Sequence, residues 1–195
     1  GQQPVTFAVA IFSQLIFLQQ EGFNVLATAR KENDVNHLLQ SGLNAYQLDL
    51  NDEKSIEQAV AWALVQSNGQ LYGLINNGAY GQTGALEDLP TQALREQFNT
   101  NLFGWHHLIR LVLPSMLQQN HGRIIQISSV LGLVAMKYRG AYNASKFALE
   151  GYTDTLRLEL RDTAIQISLI EPGPIRSQFR SNALIKLQQH IDVAT

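Results

Sequence analysis

Six short apolar runs, each followed by a longer stretch, constrain this chain more than any other feature. The runs are Thr6–Ala10, Asn24–Ala29, Ala45–Leu50, Leu71–Ile75, Arg123–Ser128 and Gln166–Ile170. They are mostly apolar rather than alternating, which is the pattern of strands buried on both faces. The stretches between them predict helices at Ser13–Glu21, Glu32–Gln40, Asp52–Gln66, Thr91–Gln119 and Tyr142–Arg161. In Asp52–Gln66, the residues Ile56, Ala59, Val60, Ala63 and Leu64 recur at helical spacing, with Asn51 or Asp52 as the cap. Pro114 lies inside the long Thr91–Gln119 stretch and predicts a break or kink there. In the last helix, Phe147, Ala148, Tyr152, Leu156 and Leu160 supply the apolar face. Alternating strands and helices joined by right-handed crossovers give a doubly wound parallel α/β sheet with helices on both faces. Ligands of such sheets bind beyond the carboxyl ends of the strands, so the residues after each strand are the candidates for function.

Composition narrows the function classes. The chain has 195 residues, 45% of them hydrophobic, enough for one domain with a buried core. Its 14 basic and 16 acidic residues form no cationic cluster, so no nucleic-acid partner is expected. The absence of cysteine removes disulfides, thiolate nucleophiles and cysteine-type zinc sites, and is compatible with a cytoplasmic location. The histidines His37, His106, His107, His121 and His190 make no metal-binding spacing, so no metal is expected. Val5–Leu18 is nearly uncharged, but its 14 residues fall short of a membrane helix. It also lacks the basic start and cleavage site of a signal peptide. It reads as a buried strand entering a helix, and no membrane association is expected.

The residues after the fifth strand carry the chemistry. Ser128-Ser129 ends that strand, and Tyr142 and Lys146 follow in the run Tyr-Asn-Ala-Ser-Lys. On a helix, Lys146 lies one turn from Tyr142 on the same face. An ammonium near a phenol favours the phenolate, so the tyrosine pKa is expected to fall toward neutrality. A tyrosine tuned in this way is a general acid/base for interconverting an alcohol and a carbonyl, with Ser129 bonded to the same substrate oxygen. A chance Tyr-x-x-x-Lys is expected roughly 0.15 times in a chain of this composition, so the spacing alone is a modest signal.

With this set, the chain resembles the short-chain dehydrogenase/reductase family, and retinol- and hydroxysteroid-type members in particular. The resemblance runs from about Glu21 to Phe179. Its pieces come in order: Asp49-Leu50, Asn76-Asn77-Gly78-Ala79, Asn101 in Asn-Leu-Phe-Gly, Ser129, Tyr142 and Lys146, then Pro172-Gly173-Pro174-Ile175-Arg176-Ser177. The resemblance implies a Rossmann-like domain over residues 1–195, atypical at 1–18 and 180–195. It implies catalysis by Ser129, Tyr142, Lys146 and Asn101, with Asn101 holding a water that relays protons to the lysine. Cofactor binding is implied for Arg30, Asp49, Leu50, Asn76, Asn77, Gly78, Ala79, Tyr142, Lys146, Pro172, Gly173, Ile175 and Ser177. Arg30, with Lys31 beside it and no acid at the strand end, favours NADP over NAD, because a basic residue there accommodates the 2′-phosphate. The implied substrate is a small carbonyl or alcohol, lipophilic in character, with the run Leu131–Tyr138 lining its pocket. A homodimer or homotetramer is implied, with Phe103, Trp105, Phe147 and Leu158 as candidates for its face, core packing being the commoner role for any one of them.

The pattern breaks in several places. The family order Asn-Asn-Ala-Gly stands here as Asn-Asn-Gly-Ala, and Ser177 replaces the usual threonine. No glycine occurs between Gly1 and Gly22, where the family has a glycine-rich turn that lets backbone N–H groups approach a pyrophosphate. After Phe179, the family's substrate-covering helical segment and seventh strand are expected to be missing. Two explanations fit: a garbled N-terminal stretch, for example from a reading-frame slip, or a degenerate paralogue that has lost cofactor binding. The alternative function is therefore an inactive scaffold or dimerisation partner.

Overall fold

Strands that are apolar on both sides need helices above and below them, and the computed structural model supplies both layers. It describes residues 3–9, 12–175 and 179–191. In chain order the elements are β1 (Val5–Val9), α1 (Phe12–Gln20), β2 (Asn24–Ala29), α2 (Glu32–Gln40), β3 (Asn44–Gln47), α3 (Glu53–Gln66) and β4 (Leu71–Asn76). There follow α4 (Thr91–Phe98), α5 (Gly104–Gln118), β5 (Gly122–Ile127), α6 (Gly140–Glu159), β6 (Ile165–Ile170) and α7 (Phe179–His190). The strands pair in parallel throughout, in the order β3-β2-β1-β4-β5-β6. The doubly wound α/β sheet expected from the sequence is thus the one observed.

The core has two halves, one on each face of the sheet. Alternate residues of β1 separate them: Phe7 and Val9 face α3, α5 and α6, whereas Ala8 faces α1 and α2. The first half is packed by Ile56, Val60, Trp105, Leu108, Val112 and Leu149. The second is smaller, built on Leu15, Val25, Ala27 and Leu38. Asp52 caps α3, its carboxylate accepting from the Lys54 N–H at 3.0 Å. Asp52→Ala should lower the unfolding free energy by about 1 kcal/mol in urea denaturation.

Two expectations need correction. The long helix predicted over Thr91–Gln119 is interrupted at Asn99–Phe103, which forms a wide π-helical turn, and not at Pro114. Pro114 sits inside α5 on its exposed side, as does Arg110 one turn earlier, where water can serve the carbonyl that the proline leaves unbonded. The interruption comes instead from Asn101, whose buried side chain bonds to neighbouring segments and draws the turn wide. The second correction concerns the tail. After Phe179, where the sequence predicts no helix, α7 forms. Its apolar residues have almost no helical periodicity, and contacts with the loop after β4, not local pattern, hold it in place.

Candidate active site

β1 and β4 lie side by side, and from them the chain winds outward in opposite directions. Beyond their carboxyl ends opens a groove of about 620 Å³. Of the expected cofactor-binding residues, Arg30, Asp49, Leu50, Asn77, Gly78 and Ala79 line it. Lys31, Asn51, Tyr80, Asn182 and Lys186 do so as well. Arg30, Lys31 and Lys186 outnumber the two acids of the lining, Asp34 and Asp49, and with several amides they suit a polyanionic nucleotide. Gly78 keeps the wall tight: a Cβ there would lie 2.6 Å from Val9 and 2.9 Å from Leu50. Asp49 accepts from the Asn51 N–H at 2.9 Å and so shapes its own turn, while the capping falls to Asp52.

Asn76, expected among the cofactor-binding residues, lies within the sheet. It is fully buried and donates to Gln126 Oε1 at 2.8 Å across the β4–β5 pair. Pro172 is drawn beside the end of β5, its carbonyl accepting from the Val130 N–H at 3.2 Å. Gly173 and Ile175 lie exposed just beyond, and Ser177 and Arg176 are outside the described residues. Residues 10 and 11, in the glycine-free turn, are also outside them. α1 then begins with Phe12, a large side chain where a phosphate-binding turn has glycine. Gln14 of its first turn accepts from Asn77 Nδ2 at 2.9 Å. The residues present fit the two nucleoside ends of a dinucleotide better than its pyrophosphate.

The four expected catalytic residues converge at the end of β5. Ser129 leads the short 3-10 turn Val130–Gly132, its hydroxyl accepting from the Leu131 N–H at 3.1 Å. Tyr142 and Lys146 are consecutive on the buried face of α6, 7% and 1% exposed. Asn101 donates to the Tyr80 carbonyl at 3.0 Å and to Ser145 Oγ at 3.2 Å, and so ties the wide turn to the groove wall and to α6.

The electrostatics differ from expectation. Burial raises the Tyr142 pKa, and the hydrogen bond with Ser129 opposes that rise only in part. Lys146 carries the larger perturbation: burial lowers it to about 7, while the charge of Glu150 pulls it back up. Its ammonium donates to the Ile127 carbonyl at 2.7 Å and lies 5.8 Å from the centre of the Tyr142 ring. The expected lowering of Tyr142 by Lys146 is therefore corrected. A lysine driven toward neutrality by its own burial is a weak source of positive field.

Glu150 was not singled out in the sequence, although it lies one turn beyond Lys146. It accepts a very short hydrogen bond from Ser128 Oγ and so braces the loop that carries Ser129. Of the four residues offered for a subunit face or for core packing, Trp105 is completely buried, whereas Phe103, Phe147 and Leu158 are exposed. Phe179, which opens α7, packs edge-on against Tyr142 with ring centres 5.3 Å apart. Further along α7, Lys186 and His190 approach Glu96 at 4.0 and 3.4 Å. The tail thus lies across the groove.

Groove, convergent Ser-Tyr-Lys set and strand order together point to one family, and comparison with known proteins agrees. Residues 15–187 match the short chain dehydrogenase family. The chain belongs to that family.

Among curated short-chain dehydrogenase relatives, it is 42% identical over 165 residues to the uncharacterized oxidoreductase YbbO of Escherichia coli K12, covering 85% of this chain and 61% of that protein. It is 35% identical over 181 residues to human retinol dehydrogenase 8, covering 89% and 57%. To the 3-ketodihydrosphingosine reductase of Bacteroides thetaiotaomicron it is 36% identical over 169 residues, covering 85% and 60%. The chain thus spans about three fifths of the length of these relatives. A short-chain dehydrogenase structure from Streptomyces avermitilis superposes with a TM-score of 0.83 at 29% identity, covering 90% of this chain and 67% of that one. An actinorhodin polyketide ketoreductase solved with NADPH gives 0.83 at 26%, covering 95% and 75%. Among the described residues, no helix is long and apolar enough to cross a membrane, and no three His, Asp or Glu side chains gather as a metal site needs.

Proposed function

We propose that this chain belongs to an NADP-dependent oxidoreductase that interconverts a secondary alcohol and a ketone or aldehyde. The observation that carries the proposal is the meeting of Ser129, Tyr142 and Lys146 beside a polar groove at the end of the sheet, in whose lining cations outnumber acids by one. When bound, the dinucleotide supplies or accepts the hydride. Arg30 and Lys31 would hold its adenosine end, Asp49, Leu50 and the Asn77–Ala79 backbone its adenine and floor, and Lys146 and the Pro172–Gly173 segment the nicotinamide end. Ser129 orients the substrate oxygen. Tyr142, kept protonated through the neutral range by its burial, gives its phenol proton to that oxygen as the carbonyl becomes an alcohol, and takes it back in the reverse direction. Asn101 anchors the relay that restores the proton.

An apolar rim supports a lipophilic substrate. Leu133, Val134, Met136 and Tyr138 are each more than half exposed in the loop before α6, with Leu86 nearby against Gly140. Asn143, next to Tyr142, donates to the Leu131 and Val134 carbonyls at 2.8 Å and so ties this loop to α6, and exposed apolar groups so placed mark a surface that binds something. Tyr138 holds a φ of 64°, unusual for a bulky residue, and its carbonyl accepts from the Gly84 N–H at 3.1 Å, which fixes the rim in place. Two relatives bear names that refer to retinol and ketodihydrosphingosine, both long apolar molecules, which supports the same reading. A subunit interface through the exposed Phe103, Phe147 and Leu158, and a cytoplasmic location, accompany the proposal.

The second reading, an inactive scaffold, rests on the glycine-free turn and on Phe12 at the start of α1. Titrating nicotinamide fluorescence separates the two. The enzyme reading expects micromolar NADPH binding, weaker NADH binding, and a loss of about ten-fold in NADPH affinity for Arg30→Asp. Folded protein that binds neither cofactor at millimolar concentration would overturn it.

A further inference from the structure

We propose that Trp105 is a positioning residue for Lys146, holding the ammonium on the face of its indole while its own N–H fastens it to the floor of the groove. The proposal rests on the reading of Tyr142 as the acid and of Lys146 as the residue beside it that holds the nicotinamide end. Trp105 is wholly buried and is the largest such side chain among the described residues. Lys146 Nζ lies 4.6 Å from its ring centre, well within reach of a cation–π contact. Trp105 Nε1 donates to the Gly78 carbonyl at 3.0 Å. One side chain thus joins the groove wall, through Gly78, to the lysine, through its π face.

The physical need for such a contact is plain. A buried ammonium has three N–H donors and little water to receive them. The Ile127 carbonyl takes one, at 2.7 Å. The negative face of an indole is the best uncharged partner for the remaining positive density, and its effect grows as water is excluded. Among the described residues, the titratable groups facing Lys146 are Tyr142 and Glu150, both on α6. α5 presents the Trp105 indole and β5 the Ile127 carbonyl, neither of which titrates. Because burial brings the lysine to about 7, ammonium and amine coexist near neutral pH, and a group that favours the ammonium shifts the balance between them.

The chain has two tryptophans, so in a Trp62→Phe background the emission belongs to Trp105. Titrated from acid to alkaline pH, that emission should shift in one step near neutrality as the ammonium loses its proton. Lys146→Met should abolish the step. Trp105→Leu should move the corresponding limb of the kcat profile, read with NADPH and a long-chain ketone, to lower pH by roughly one unit, a ten-fold change in acidity. Trp105→Phe keeps a weaker ring, fills most of the space and should fall between; it carries the kinetic test if Trp105→Leu does not fold. An emission that shows no step, or a step that survives Lys146→Met, would overturn the proposal. So would pH profiles that coincide in all three proteins. A step that depends on Lys146 in a protein that reduces no carbonyl would instead overturn the enzymatic reading and leave the indole contact standing.

Discussion

Tyr142→Phe should lower kcat for carbonyl reduction by roughly a thousand-fold while cofactor affinity changes little. The substitution removes one oxygen. That oxygen is the proton donor in the proposed reaction, and general acid catalysis is worth about 10²–10⁴ in rate. Packing should survive, because the ring keeps its edge-on contact with Phe179 at 5.3 Å and its place in the buried face of α6. The direction of the pKa shift sharpens the expectation. Burial raises Tyr142, so its acid form persists to alkaline pH, and the alkaline limb of the wild-type reduction profile should not arise from this residue until above the ordinary tyrosine range. Steady-state kinetics of both proteins with NADPH, beside a cofactor titration, check this. A variant within ten-fold of wild type in kcat would remove Tyr142 from the chemistry.

Gly104→Val should cost about 3 kcal/mol or more of unfolding free energy. Gly104 opens α5 directly after the wide turn that holds Asn101. A Cβ there would lie 2.4 Å from the Leu50 carbonyl oxygen and 2.9 Å from Leu50 Cβ. The first contact is with backbone, which cannot swing aside as a side-chain end can, so the helix or the segment after β3 must shift. Leu50 also packs against Gly78, so the same shift should disturb the groove and weaken NADPH binding. Gly151 is the matching control. It lies on the exposed side of α6 with no atom within 4 Å of an added Cβ, and Gly151→Ala should raise stability by about 0.5–1 kcal/mol through helix propensity. Urea denaturation of the two variants should move the midpoints in opposite directions. Similar midpoints would mean that α5 does not pack on Leu50 as described.

The site was legible where its residues are close in sequence. Tyr142 and Lys146 are one helical turn apart, so their shared face follows from helix geometry alone. Arg30 and Asp49 follow strands whose ends must lie on one side of a parallel sheet, and both do line the groove. Trp105 shows where that reasoning fails. Phe103, two residues before it, is exposed, and an aromatic residue on a long helix suits a subunit face as well as a core. Its role rests on Lys146, 41 residues away, which local periodicity cannot bring to it. Asn101 is a similar case: the sequence puts the break of the long helix at Pro114, but the bond to Ser145, 44 residues on, draws the helix into a wide turn at Asn101 instead. The charge state of the pair was misjudged for a related reason. Spacing shows that an ammonium and a phenol are near each other, but not how much water each has lost, and here burial raises the one and lowers the other, the phenol upward and the ammonium downward.

The sequence by itself determined the doubly wound sheet, its strand-by-strand boundaries to within a few residues, and the helix that pairs Tyr142 with Lys146. All of these arise from repeats of apolar residues at the strand and helix periods, which act over a few neighbours at a time. The tertiary structure alone decided that Asn76 pairs with Gln126 inside the sheet, that Trp105 backs the lysine, and that α7 lies over the groove. Each of these depends on which distant segments pack together. Close packing and the pairing of buried polar groups select that arrangement, and neither leaves a periodic trace along the chain.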